Sequence, residues 1–233
     1  ILPHVSERTD GTRYEHHSLF IGYVMLISEI FSSLQGEGPW IGLPAVFIRL
    51  AGCVEPLCPW CDTSHALSGG RQMSVDRVMS KVGSYSMKRV VITGGEPFLQ
   101  WSSGLKNLHA ALSAQAYEIQ YETSGKVKIP VMKDALIVCS PKHIDGLWRF
   151  DESNLDAVDF FKFVSGGEEW FAAIDGFIAA HGIPPGKVYV MPLGASRDEQ
   201  LKNMEPVFVH CLRRGYRMSV RLQVLIFDTR KGI

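Results

Sequence analysis

The chain has 233 residues, 46% of them hydrophobic, and its 24 lysines and arginines balance 24 aspartates and glutamates. That is enough apolar material for one sizeable core, and a net charge of zero supplies no polybasic footprint for nucleic acid. No apolar run reaches the ~18 residues of a membrane-spanning helix, and five cysteines, three of them clustered, indicate a reducing compartment and metal chemistry rather than a disulfide framework.

Residues 1–24 begin polar and aperiodic, lack an initiating Met and carry no secretory apolar region with a cleavage site. Met25 stands directly before the first strand-like run, so 1–24 read as an N-terminal extension and 25–233 as a single domain. Residues 26–31 form the first expected strand. Ser32 to Pro39 follow as a Gly-rich turn, where Gln35 and Glu37 offer donors and acceptors to a polar heterocycle. Residues 45–50 form a second strand with Arg49 near its end. An arginine fork in that place needs a partner, which a salt bridge or a ligand would supply equally well.

The next stretch, 52–63, holds Cys53, Cys58 and Cys61, separated by four residues and then by two. Three thiolates on one loop are a soft ligand set, suited to zinc, copper(I) or an iron–sulfur cluster. Structural zinc usually takes four protein ligands. The remaining cysteines, Cys139 and Cys211, sit in apolar runs and read as buried small hydrophobes. A [4Fe–4S] cluster on three cysteines would leave one iron open to an outside ligand. Asp62 and Thr63 close the stretch as a carboxylate beside a hydroxyl, able to cap a helix or to bind a hard cation such as Mg²⁺.

Residues 73–82 have helical spacing with Ser74 as N-cap. Residues 90–93 are a β-branched strand ending in Gly94-Gly95-Glu96-Pro97, where glycines let the backbone approach a ligand and Glu96 can accept from an ammonium. Leu105, Leu108, Ala111 and Leu112 mark a helix stripe. Further strands are expected at 117–121, 136–139, 160–164 and 188–190, each ending in a polar or Gly-rich cluster. Helices are expected at 168–180 and 198–212, the latter kinked at Pro206, and 217–227 reads as a final strand. Strands alternating with helices predict βα units and a parallel α/β sheet whose strand-end loops converge on one face. About six units fall short of a complete eight-fold barrel, and no linker or second domain is visible.

The three-cysteine loop, with an aromatic residue before its last cysteine and Gly94-Gly95-Glu96 further on, resembles the cluster and S-adenosylmethionine (SAM) motifs of radical SAM enzymes. In that superfamily the first spacing is usually three residues, not four. The stretch EIFSSLQGEGPWIGLPAVFIRLAGC is similar to the N-terminal region of the 7-carboxy-7-deazaguanine synthases, a radical SAM family of deazapurine biosynthesis. The resemblance implies the open, partial (β/α)6-type barrel of the radical SAM core, with trimmed helices. It implies a [4Fe–4S] cluster on Cys53, Cys58 and Cys61. SAM would lie against Trp60, Asp62, Gly95, Glu96, Ser140, Pro141, Lys142, Met191, Pro192, Leu193 and Gly194. Mg²⁺ would sit at Thr63, bridging to the substrate carboxylate. The substrate, 6-carboxy-5,6,7,8-tetrahydropterin, would meet Leu34, Gln35, Gly36, Glu37, Arg49, Thr93 and the terminal carboxylate of Ile233, with Glu122 as a further candidate. Many relatives carry a histidine where this chain has Gln223, which leaves that contact open.

The implied reaction is a lyase reaction: hydrogen abstraction at C6, ring contraction and loss of ammonia give 7-carboxy-7-deazaguanine on the route to queuosine in tRNA, with SAM regenerated. The family also implies a flavodoxin- or ferredoxin-type electron donor, a homodimer and a cytoplasmic location, with neither nucleic acid nor membrane as partner. Two alternatives stay open. A radical SAM activase acting on a partner's glycine fits the core, although the LQGEG loop and Arg49 suit a small polar substrate better. A non-enzymatic zinc- or cluster-binding module explains the cysteines but not Gly94-Gly95-Glu96 or the strand-end clusters.

Overall fold

The structure, a computed structural model, describes residues 24–230. The extension up to residue 23 and Ile233 lie outside the described residues. Val24 already belongs to the first strand, paired with Ser74. The elements in chain order are β1 (Val24–Leu34), β2 (Pro44–Leu50), β3 (Arg71–Ser74), α1 (Val75–Gly83), β4 (Arg89–Gly94), α2 (Lys106–Ala114), β5 (Glu118–Thr123) and β6 (Leu136–Cys139). Then come a hairpin of β7 (Lys142–Ile144) and β8 (Leu147–Arg149), β9 (Phe160–Ser165), α3 (Phe171–Ala180), β10 (Val188–Pro192), α4 (Arg197–Arg214), β11 (Arg217–Met218) and α5 (Leu222–Phe227).

The main sheet has nine strands in the order β11-β10-β9-β6-β5-β4-β2-β1-β3. Pairing is parallel from β2 through to β11. The hairpin partner β1 and the edge strand β3 are antiparallel. The outermost strands do not pair with each other, so the sheet stays open, as expected. The expected trimming is sharpest after β5: no α-helix intervenes between β5 and β6, and a hairpin with a short 3₁₀ segment (Glu152–Ala157) stands before β9. At the other extreme, α4 is 18 residues long.

Side-chain alternation splits the strands between two faces. Val46, Ile48, Leu50, Val90, Ile92, Ile119, Tyr121 and Phe163 join the main core on the helix-covered face. Ala45, Phe47 and Val91 form a second cluster on the opposite face, beside Phe31 and Trp40. Runs rich in Val, Ile and Phe thus mark strands buried on both sides.

Two expectations are corrected. Residues 217–227 do not form one strand: β11 is two residues long, and α5 follows after a short break. Met73 lies in β3, so the helix begins at Val75, with Ser74 Oγ capping it by accepting the Arg77 N–H at 3.4 Å. The helix expected over 198–212 is α4, Arg197–Arg214, with Pro206 inside it. A capping box of Ser196 and Glu199, a left-handed Gly215 at its end, and Val207 and Cys211 buried against the sheet hold that helix on both sides of the proline.

Candidate active site

A cavity of about 280 Å³ opens where the parallel strands end. Alternation supplies its floor: Phe47 and Arg49 from β2, Val91 and Thr93 from β4, Glu122 from β5, and Lys162 and Val164 from β9 all face it. The strand ends and the loops beyond them supply the wall. Gln35, Glu37, Cys53, Cys58, Trp60, Cys61, Asp62, Thr63, Gly94, Gly95, Ser140, Lys142, Met191, Pro192, Leu193 and Gly194 line it. Of the residues named from sequence, Leu34, Gly36, Pro141 and Glu96 do not line it. Leu34 is the exposed end of β1, one residue out of phase with Gln35, so its side chain points away.

The floor is charged. Lys162 Nζ donates to Glu37 Oε2 at 2.7 Å and to Glu122 Oε2 at 2.8 Å. Glu122 Oε1 also accepts from Gln35 at 3.2 Å and from Gln120 at 2.7 Å. Glu37 Oε1 accepts from Arg221 at 3.3 Å and Gln223 at 3.2 Å. Burial alone would raise the Glu37 carboxyl, but the Lys162 and Arg221 charges outweigh it and hold it down at about 2. Burial wins at Glu122, whose carboxyl is pushed up despite the same ammonium. Burial likewise opposes the charge on Lys162, yet two carboxylates keep it protonated beyond the ordinary lysine range.

Arg49 has the salt-bridge partner that its place in the strand calls for. Its Nε donates to Glu29 Oε1 at 2.6 Å, and the side chain still lines the cavity. Burial would raise Glu29, but the Arg49 bond and charge, with His65 beside them, hold it low.

Cys53, Cys58 and Cys61 are free thiols, half-buried on the cavity wall, and burial pushes the Cys53 thiol up. Cys139 and Cys211 are buried in the core, as their surroundings indicated. Among the described residues no three His, Cys, Asp or Glu side chains converge to cage a single ion. All three thiols line one cavity, a soft donor set of the kind that holds an iron–sulfur cluster. The Thr63 hydroxyl lies 3.7 Å from Cys61 Sγ. Trp60 packs edge-on against Trp170, with ring centroids 5.3 Å apart.

Gly94 and Gly95 are also required by the fold itself. A Cβ on Gly94 would stand 2.1 Å from Leu50 O, and one on Gly95 would stand 1.8 Å from Gly52 O. What approaches these glycines is the exit of β2, not only a ligand. The Glu96 carboxylate is fully buried and already engaged. It accepts from Thr123 Oγ1 at 2.7 Å, from Ser124 N and Oγ at 2.9 and 2.6 Å, and from Phe98 N at 3.3 Å. Its side chain therefore ties β4 to β5, and the cavity sees only the two glycines before it.

On the far wall, Lys142 Nζ donates to Ser140 Oγ at 2.8 Å. The segment after β10 is held by α4: Gln200 donates to Pro192 O at 2.6 Å and Asn203 to Leu193 O at 2.8 Å. Arg221, which sequence reasoning passed over, binds Gly194 O at 2.8 Å, pairs with Asp62 and reaches Glu37. Gln223 lines the cavity from α5 rather than from a strand, and its buried Oε1 has no protein partner. Lys126, also unanticipated, lines the cavity and binds the cysteine loop.

An open parallel sheet whose strand ends gather a three-cysteine loop and a Gly-Gly turn defines a radical SAM enzyme, working with SAM and an iron–sulfur cluster. No family model matches the chain, but whole-length relatives do. It is 34% identical over 216 residues to the 7-carboxy-7-deazaguanine synthase of Pyrobaculum aerophilum, covering 88% of this chain and 96% of the relative. It is 31% identical over 231 residues to the synthase of the same name from Rhodospirillum rubrum, covering 88% and 93%. Its fold is similar to the crystal structure of QueE from Escherichia coli, with a TM-score of 0.71 at 26% identity, over 85% of this chain and 94% of that one. The chain belongs to the 7-carboxy-7-deazaguanine synthase family.

Proposed function

We propose that this protein converts 6-carboxy-5,6,7,8-tetrahydropterin to 7-carboxy-7-deazaguanine, with ring contraction and release of ammonia, in queuosine biosynthesis. The observation that carries this reading is one cavity, which places the three thiols beside Gln35, Glu37, Arg49 and Thr93. When bound, the cluster and SAM supply the one-electron chemistry. The chain's own residues bind, orient and exclude water. Cys53, Cys58 and Cys61 hold the cluster. Trp60, Asp62, Gly95, Ser140, Lys142 and the 191–194 segment flank SAM, while Glu96 and Pro141 shape that pocket from behind. Arg49 offers its fork to the substrate carboxylate, and the Thr63 hydroxyl serves a Mg²⁺ ion there.

The pterin's N–H edges meet acceptors. Gln223 Oε1 is buried without a donor of its own, and such an orphan is costly unless a ligand completes it. Gln35, Glu37 and Thr93 complete the polar edge, with Leu34 and Gly36 contributing backbone at most, and Glu122 stands behind them with Lys162. We assign the domain to residues 25–233, working as a homodimer in the cytoplasm with a flavodoxin- or ferredoxin-type electron donor. Among the described residues no helix is long and apolar enough to cross a membrane.

The test is anaerobic: reconstituted protein with SAM, reductant, Mg²⁺ and the carboxypterin, read by mass spectrometry. A product lighter than substrate by ammonia is the expected result. SAM cleavage with the pterin intact overturns the substrate, and an intact cluster that leaves SAM whole overturns the class.

A further inference from the structure

Four residues, Val54, Glu55, Pro56 and Leu57, fill the interval between Cys53 and Cys58, without helix or strand to hold them. Glu55 turns back on this stretch, its Oε2 accepting the Leu57 N–H at 2.9 Å. The Val54 and Pro56 carbonyls are satisfied from elsewhere in the chain. Lys126 Nζ donates to Val54 O at 3.2 Å and to Pro56 O at 2.5 Å. The lysine is some 70 residues away in sequence, in the turn after β5.

That turn is a firm base. The buried Glu96 carboxylate grips Thr123 and Ser124. Thr123 Oγ1 accepts the Gly125 N–H at 3.0 Å, and Ser124 Oγ accepts the Lys126 N–H at 3.3 Å. Gly125 has φ +69°, and a Cβ there would stand 2.6 Å from Cys139 Sγ, so the backbone is pressed onto the core. A lysine usually hangs free on a flexible stem. Here its root is fixed and its ammonium has two partners in one loop. It also shares the cavity wall with all three thiols.

We propose that Lys126 is a positioning residue for the cysteine loop, holding the four-residue interval in the shape that receives the cluster and setting a positive charge beside it. The proposal rests on the reading that Cys53, Cys58 and Cys61 hold an iron–sulfur cluster. A fixed cation favours the more negatively charged, reduced state of the cluster, so it raises the reduction potential.

The experiment compares reconstituted full-length wild type, Lys126→Met and Lys126→Arg. It measures iron and sulfide per chain, the rate of iron loss to a chelator, and the midpoint potential by spectroscopic redox titration. Removing an outer partner of a metal site typically weakens it ~10- to 100-fold, so Lys126→Met should lose iron at least ~10-fold faster and titrate at a lower potential. Lys126→Arg keeps charge and donors and should restore both. The potential separates this role from packing, since a merely loosened loop that still holds a cluster keeps its charge environment. A Met variant with wild-type retention and potential overturns the proposal, as does an Arg variant no better than Met. A wild-type chain that takes up no iron and sulfide overturns the cluster reading and this proposal with it; wild-type uptake with an indifferent Lys126 sinks only the latter.

Discussion

Lys162 is the side chain on which the cavity floor depends, one ammonium between two carboxylates and only 6% exposed. Removing one partner from a buried charge network leaves the others uncompensated, at a cost of about 3–5 kcal/mol. Lys162→Met should therefore lower the unfolding free energy obtained from urea titration by about that much, and adding Glu122→Gln should recover part of the loss. The pH dependence is set by Glu37. Its carboxyl is held at about 2 against an ordinary 4.5, so its stabilisation is complete above 4.5 and drains away as pH falls toward 2. Glu122 is shifted up, so its contribution has the opposite sign and eases on acidification. Lys162 is shifted above an ordinary 10.5 and withdraws support only on the alkaline side. Urea unfolding measured from about pH 5 to 2 should show stability declining in the wild type and declining less steeply in Glu37→Gln. The sequence announced Glu37 through its polar, Gly-rich turn. Lys162 was hidden in an aromatic run, although its phase with Val164 would have aimed it at the strand-end face. Arg221 gave no local signal, because Asp62 and Glu37 lie 159 and 184 residues away.

At the scale of elements, the strands were legible wherever β-branched residues ran together, and β6 matches its expected bounds residue for residue. The C-terminal segment was not legible. Arg217 to Phe227 is as apolar as a strand, but β10 offers a partner to only two of its residues before the chain turns to pack on α4. The Gly94-Gly95 turn was found but its reason was incomplete, since close approach between two strand exits is a tertiary fact. Gly95→Ala must drive the Gly52 carbonyl away from a clash at 1.8 Å. Such overpacking costs about 1–3 kcal/mol, and here the displaced backbone adjoins Cys53. Thermal melting and iron analysis should both fall. The control is Gly83→Ala at the end of α1, where a Cβ meets nothing within 4 Å; it should leave iron unchanged and hold or raise the melting temperature.

Over the whole molecule, one rule governs the site: each loop of the wall is tied to another loop. Lys126 ties the cysteine loop to the turn after β5. Glu96 ties that turn to the Gly-Gly turn, and its own N–H donates to Gly52 O at 2.8 Å. Arg221 joins Asp62, Gly194 and Glu37, and Leu222 N–H donates to Gly36 O at 3.0 Å. Arg221→Leu should therefore be felt at a distance. Hydrogen exchange followed by mass spectrometry should speed up in peptides covering 35–42, 52–63 and 192–196, and not only around 221. Unchanged exchange in the first two would show the ties to be decorative. Because the sheet never closes, no continuous ring of strands braces these loops from behind. The rim braces itself instead, in the manner of a hoop whose staves lean on their neighbours. A hoop of that kind has few partly open states, so the pocket should be lost all at once, and a defect at any stave should shorten the life of the whole.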